Sequence, residues 1–172
     1  IVHNMQNRIG ISSGQMVTGN MGSEARMNYT MMGDNVNTAA RLESSAKQYG
    51  IYIQVADSTY QAVKEKVVVR DLDNVRVLGK NEPVKVWELI SEVGQEPDQY
   101  KKILPAYHEA LDLYKNQEWS KAIDAFKASD ELEEMFGGRK TNPSRIYIPR
   151  CEHYLENPPG EDWDGVWTLT SK

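Results

Sequence analysis

Residues 28–45, NYTMMGDNVNTAARLESS, leave this chain little freedom in how it folds: a strand, a tight turn and a helix must follow one another without a spacer. Residues 28–32 have the extended, aromatic-containing character of a strand. Gly33 permits a turn that a Cβ would oppose, and Asp34 is placed to cap the helix that follows. That helix is expected to end at Gly50. Along it, Val36, Ala39, Leu42, Ala46 and Tyr49 recur at steps of three and four, giving an apolar face suited to packing on a sheet. Asn37 and Arg41 lie on another face, one turn apart, together with Ser44, Ser45 and Gln48. An amide and a guanidinium near a helix N-terminus suit a polyanion, because the dipole, the orphan N–H groups and the planar fork all favour phosphate oxygens. The same spacing fits a surface ion pair from Arg41 to Glu43 or Asp34 and a solvated Asn37, so spacing alone leaves both readings open.

The remainder of the 172 residues accommodates one domain or two small ones, and 40% hydrophobic content is enough for a core. No run approaches the ~20 apolar residues a membrane helix needs. The opening residues Ile1, Val2, His3 and Asn4 form neither an initiator methionine nor a signal-peptide pattern, so the chain reads as a fragment. The single cysteine, Cys151, precludes an internal disulfide framework, fits a reducing and hence cytoplasmic compartment, and is expected to be a buried thiol. The net charge of −5 is uneven: residues 1–93 balance at 10 basic and 10 acidic, whereas residues 94–172 hold 10 against 15. With no basic face to release counterions, nucleic acid is not an expected partner. This shift, with the polar, Gly- and Pro-containing residues 91–97, places a boundary near Gly94 and divides the chain into 1–93 and 94–172.

In the first part, residues 8–13 and 15–18 read as a hairpin across Ser13 and Gly14. A strand over 51–55, a helix from Asp57 to Val63 with Asp57 as its cap, and strands over 67–69, 75–78 and 84–89 follow. The second part reads as helices over 99–116 and 120–134, with Ala110, Leu113, Trp119, Ala122 and Phe126 at the spacing of a tetratricopeptide-like hairpin. One such repeat cannot form a solenoid, so a docking or capping role is expected. A third helix is expected from Asn142 to about Tyr154, and Trp163 and Trp167 are expected to anchor a structural tail beside Asp162 and Asp164. His3, His108 and His153 lack ligand spacing, and no P-loop, nucleophile elbow or zinc motif occurs. Met27, Met31 and Met32 read as core filling.

The run Tyr29, Thr30, Met31, Met32, Gly33, Asp34, then Val36 and Asn37, then Ala39, Ala40, Arg41, Leu42 and Glu43 resembles the signature of the class III nucleotidyl cyclases, the adenylate and guanylate cyclase family. Arg8 to Gly14 and Val17 to Gly22 resemble its preceding strands. Val75 to Lys80 with Glu82, Pro83 and Val84 resemble its last ones, and residues 158–172 resemble a segment closing many bacterial cyclase chains. Separate blocks in the right order are more specific than one glycine motif. The resemblance covers roughly the first half of the chain. It implies an α+β fold, a ferredoxin-like cyclase core with helices on one face of a sheet, here its C-terminal portion, followed by the small helical extension.

The resemblance also implies a lyase activity in intracellular signalling. The ribose 3′-hydroxyl of a nucleoside triphosphate attacks the α-phosphorus and pyrophosphate leaves, with two Mg²⁺ or Mn²⁺ ions taking part. Arg41 takes the charge-stabilising position and Asn37 the ribose-orienting one. Thr30 stands where the family uses Asp or Thr for adenine, so ATP is the expected substrate and cyclic AMP the product. Leu78 replaces a triphosphate-binding lysine of many relatives, and Lys80, two residues on, is the candidate for that contact. The family's metal-binding aspartates and base-recognising lysine precede the position of Ile1. No metal ligand is therefore expected in this chain, and the fragment alone is expected to be inactive. The family builds its site across a homodimer, and a parent protein could carry an upstream sensor or a membrane region. The alternative is a cyclase-like regulatory or nucleotide-binding module without catalysis, with guanylate cyclase a further possibility.

Overall fold

The computed structural model describes residues 7–75, 84–133, 140–160 and 162–167. Its elements are β1 (Ile9–Ile11), β2 (Val17–Ser23), β3 (Arg26–Met32), α1 (Asp34–Tyr49), β4 (Ile53–Ala56), α2 (Asp57–Val63), β5 (Val67–Val75), β6 (Val84–Glu92), α3 (Tyr100–Lys115), α4 (Trp119–Glu133) and α5 (Pro143–Glu156). This is the α+β arrangement expected. The main sheet has the order β1-β4-β6-β5, with β1 parallel to β4 and the other pairs antiparallel.

The expected hairpin across Ser13 and Gly14 does not form. Residues 9–11 pair with Ile53, Gln54 and Val55 instead, and β2 turns back onto β3 in a separate two-stranded ribbon running from Val17↔Met32 to Ser23↔Arg26. The reason lies at Gly10. A Cβ there would stand 2.1 Å from the Ala39 carbonyl oxygen and 2.4 Å from the Glu43 nitrogen, so the bare strand lets α1 lie directly on β1.

The caps also differ from expectation. Asp34 is the first residue of α1, and Gly33 is its cap through the backbone, its carbonyl accepting from Val36 N and Asn37 N at 3.1 and 3.3 Å. Likewise Ala56, not Asp57, caps α2, while the Asp57 carboxylate accepts from the Trp87 indole at 2.9 Å. The strands expected over 67–69 and 75–78 are one continuous β5 as far as Val75, and residues 76–83 lie outside the described residues. The helix expected from Asn142 to about Tyr154 is α5, which starts at Pro143, with Asn142 before it as the cap, its side chain accepting from Arg145 N at 3.1 Å.

Two apolar clusters form. One joins Leu42, Ala46 and Tyr49 of α1 to Ile51, just before β4, and to Ala56, Leu72 and Val86 of the sheet, and the other packs α3, α4 and α5 around Tyr107, Tyr114, Phe126, Tyr147 and Cys151. Trp163 and Trp167 pack against the second cluster, as the tail was expected to do. The clusters meet through charges. Arg70, fully buried in β5, is held by Glu88 of β6 and Glu133 of α4, and Asp73 of β5 pairs with Arg150 of α5 at 2.7 Å. Burial disfavours both guanidinium ions, yet the carboxylates facing them more than offset it and hold both pKa values above the ordinary range.

Candidate functional site

The polar face of α1 is positioned from its first turn. Gly33 has φ 150° and ψ 164°, a region in which a side chain is rarely accommodated, and this lets β3 break directly into the helix. Asn35 then ties that turn to the chain after β1. Its Oδ1 accepts from Ser12 Oγ at 3.1 Å and its amide donates to the Gln15 carbonyl at 3.3 Å. Thr38, buried below, donates to the Asp34 carbonyl at 2.8 Å.

On the opposite side Asn37 and Arg41 are exposed, one turn apart, with Ser44 and Gln48 continuing the same face. Ser45 does not share it. It turns inward and donates to Gln54 Oε1 of β4 at 3.1 Å. Thr30 is exposed on β3, paired with Gly19 of β2, and reaches Asn37 through the single turn at Gly33. Lys80, with Leu78, lies outside the described residues. Thr30, Asn37 and Arg41 are therefore carried by one strand-turn-helix unit, an arrangement able to present a hydroxyl, an amide and a guanidinium to a ligand.

The ribbon that carries Thr30 is unusual in having both faces exposed. Met16, Val17, Met27, Tyr29, Met31 and Met32 are each 48–76% exposed, so the methionines expected as core filling are surface residues. Sequence reasoning also missed the buried group of Tyr49, Asp73 and Arg150. Its only trace in the sequence is the pair of acids interrupting the apolar β5, VVVRDLDNV.

A sequence profile of the adenylate and guanylate cyclase catalytic domain matches residues 2–91, more than half of the chain. The chain belongs to this family. The cyclase chain is 35% identical over 147 residues to the terminal-differentiation-specific adenylate cyclase of Dictyostelium discoideum, covering 83% of itself and 7% of that protein. It is 34% identical over 86 residues to adenylate cyclase 1 of Rhizobium meliloti, covering 50% of itself and 13% of that relative. It thus spans only a small part of these relatives. Among solved structures, the adenylyl cyclase CyaB from P. aeruginosa is 31% identical, with a TM-score of 0.44, over 52% of this chain and 45% of that one.

Cyclase catalytic domains use divalent metals. Among the described residues of this cyclase chain no three His, Cys, Asp or Glu side chains gather to hold one. No helix among them is long and apolar enough to cross a membrane.

Proposed function

We propose that the protein carrying this chain is an adenylate cyclase, converting ATP to 3′,5′-cyclic AMP and pyrophosphate. The observation that carries the proposal is the exposed pair Asn37 and Arg41, set one turn apart at the start of α1 and reached directly from Thr30, in a chain of the cyclase family. The difficulty of cyclisation is charge accumulating around the α-phosphorus. A guanidinium held on a helix opposes that charge without reorganising, and its planar fork meets two oxygens at once. The Asn37 amide orients the ribose so that its 3′-hydroxyl lies in line with the leaving pyrophosphate. Thr30 contacts the adenine edge, and Lys80 is the proposed triphosphate contact. Mg²⁺ or Mn²⁺, which would supply the countercharge for the phosphates, would be held by residues other than the described ones of this chain.

The functional unit we propose is a homodimer, assembled through the ribbon of β2 and β3. Its exposed Met27, Tyr29 and Met31 lie on one face and Val17 with Met32 on the other, apolar surface of the kind that marks an interface, and a second copy covering the ribbon would bring Thr30, Asn37 and Arg41 to a shared cleft. Cyclic AMP produced by the purified full-length protein from ATP with Mg²⁺ or Mn²⁺, and made about 10²-fold more slowly by Arg41→Ala, is the expected result. ATP binding without turnover would instead mark a regulatory cyclase-like module.

A further inference from the structure

Helix α1 is held at both ends, and the hold at its C-terminal end comes from the helical extension. The phenol of Tyr49, the last residue of α1, donates to Asp73 Oδ2 at 2.7 Å, and Arg150 of α5 donates to the same oxygen at 2.7 Å. The other oxygen accepts from Asn74 N at 2.8 Å. All three side chains are buried: Tyr49 is 3% exposed, Asp73 6% and Arg150 9%. The guanidinium is further fixed between the rings of Tyr147 and Trp167, 4.9 and 5.4 Å from their centroids. Contact continues past the helix end. Gly50 closes α1 at φ 66°, and the Thr141 carbonyl oxygen stands 2.0 Å from where its Cβ would be, while Ile146 of α5 packs against the cluster containing Leu42 and Ala46.

We propose that Arg150 and Asp73 are positioning residues for the catalytic helix: acting through Tyr49, the extension fixes the axial and rotational placement of α1 and so of Asn37 and Arg41. Tyr49 lies eight residues beyond Arg41, about 12 Å along the axis, and a regular helix carries a displacement over that distance with little loss. The group also differs from the buried ionic contact of Arg70. Arg70, Glu88 and Glu133 tie α4 to β5 and β6, whereas the Asp73 carboxylate joins α5 to α1 itself. The likeness to the Dictyostelium relative, covering 83% of the chain, runs beyond residue 93 and so takes in part of the extension.

The catalytic arm of the test rests on the adenylate cyclase reading, and the structural arm does not. In the full-length protein, Arg150→Gln and Tyr49→Phe would each lower kcat about tenfold while leaving KM for ATP within about twofold, as for a loosened rather than deleted catalytic group. Combined, the two should do no more harm than the worse of them, because both act through Asp73. Arg150→Lys should recover part of the loss. Glu133→Gln is the control: it is expected to lower thermal stability yet leave kcat unchanged.

Amide hydrogen exchange along residues 37–45 gives the structural arm. It should accelerate in Arg150→Gln and Tyr49→Phe but not in Glu133→Gln compared at equal stability. Equal exchange in the three variants, or losses in kcat that multiply in the double variant, would overturn the proposal. Should Arg150→Gln fail to fold, Tyr49→Phe, which removes one hydroxyl, carries the same comparison. A full-length protein that makes no cyclic AMP would defeat the cyclase reading alone, and the exchange comparison would still decide the coupling.

Discussion

Arg41 is exposed on α1, so its truncation should leave folding almost untouched while removing the proposed charge-stabilising group. We expect Arg41→Ala in the full-length protein to lower kcat by about 10²-fold with an unchanged melting temperature, and Arg41→Lys not to restore it fully, as a point charge cannot replace the fork. Retained kcat in Arg41→Ala would return Arg41 to an ordinary surface residue. If Thr30 contacts the adenine edge as proposed, loss of its hydroxyl would leave a polar edge of the base unpaired without touching the reacting atoms. The ratio of kcat/KM for ATP over GTP should fall in Thr30→Ala by an amount worth about 1–3 kcal/mol, and an unchanged ratio would remove the basis for assigning adenine.

His108 offers a test of stability rather than activity. Burial lowers its pKa below the ordinary 6.5, and its Nε2 accepts from the Asp71 backbone at 3.4 Å, which requires the neutral ring. The unfolded chain therefore takes up a proton before the folded one does, and stability is lost as pH falls below about 6.5. Thermal melts between pH 7 and 5 should show a steeper decline for the native chain than for His108→Gln. At this scale the sequence shows Asn37 and Arg41 plainly, because a helical repeat of four puts them on one face. The Asp73 contact is invisible there. Its partners lie 24 and 77 residues away, and nothing local separates its carboxylate from a solvated one.

Among the elements, α1 was legible through its 3.6-residue pattern and the glycine at each end. What sequence reasoning misplaced was strand pairing. Ser13 and Gly14 look like a hairpin turn, but pairing partners are chosen by packing, and Gly10 commits β1 to lie beneath α1 next to β4. The true hairpin turns at Glu24 and Ala25, which carry no such local signal. Its methionines were misread for the same reason: alternation identifies a strand without saying whether another layer covers it. The start of α1 is open to a direct test. Gly33→Ala would force a side chain into φ 150°, and we expect a loss of about 1–3 kcal/mol in urea unfolding. A neutral result would mean that the turn relaxes without strain.

For the molecule as a whole, the proposed division between residues 93 and 94 separates two apolar clusters whose junction carries buried ion pairs. Shortening the chain to residues 1–93 would strip Glu133 from Arg70 and Arg150 from Asp73. Removing one partner of a buried pair costs about 3–5 kcal/mol, so the shortened chain should unfold at markedly lower urea than the intact one, as followed by circular dichroism. Equal midpoints would show two independent folding units. The sequence discloses the helices of the extension through their aromatic and alanine spacing, but not the surface they cover, since Arg70 and Asp73 read as polar interruptions of a strand.

Cys151 follows Arg150 directly, is fully buried among the aromatic side chains of α3, α4 and α5, and has its thiol pushed up to about 12 by that burial. Only the thiolate attacks alkylating reagents and disulfides, so at neutral pH this sulfur is chemically silent for as long as α5 stays seated. The rate at which a thiol reagent consumes it is then a clock for the opening of that helix, read with no label introduced and from the residue beside the Asp73 contact. The same silence makes the native protein a clean background: a cysteine placed at an exposed position on α1 would carry a spectroscopic probe without competition from the one already there.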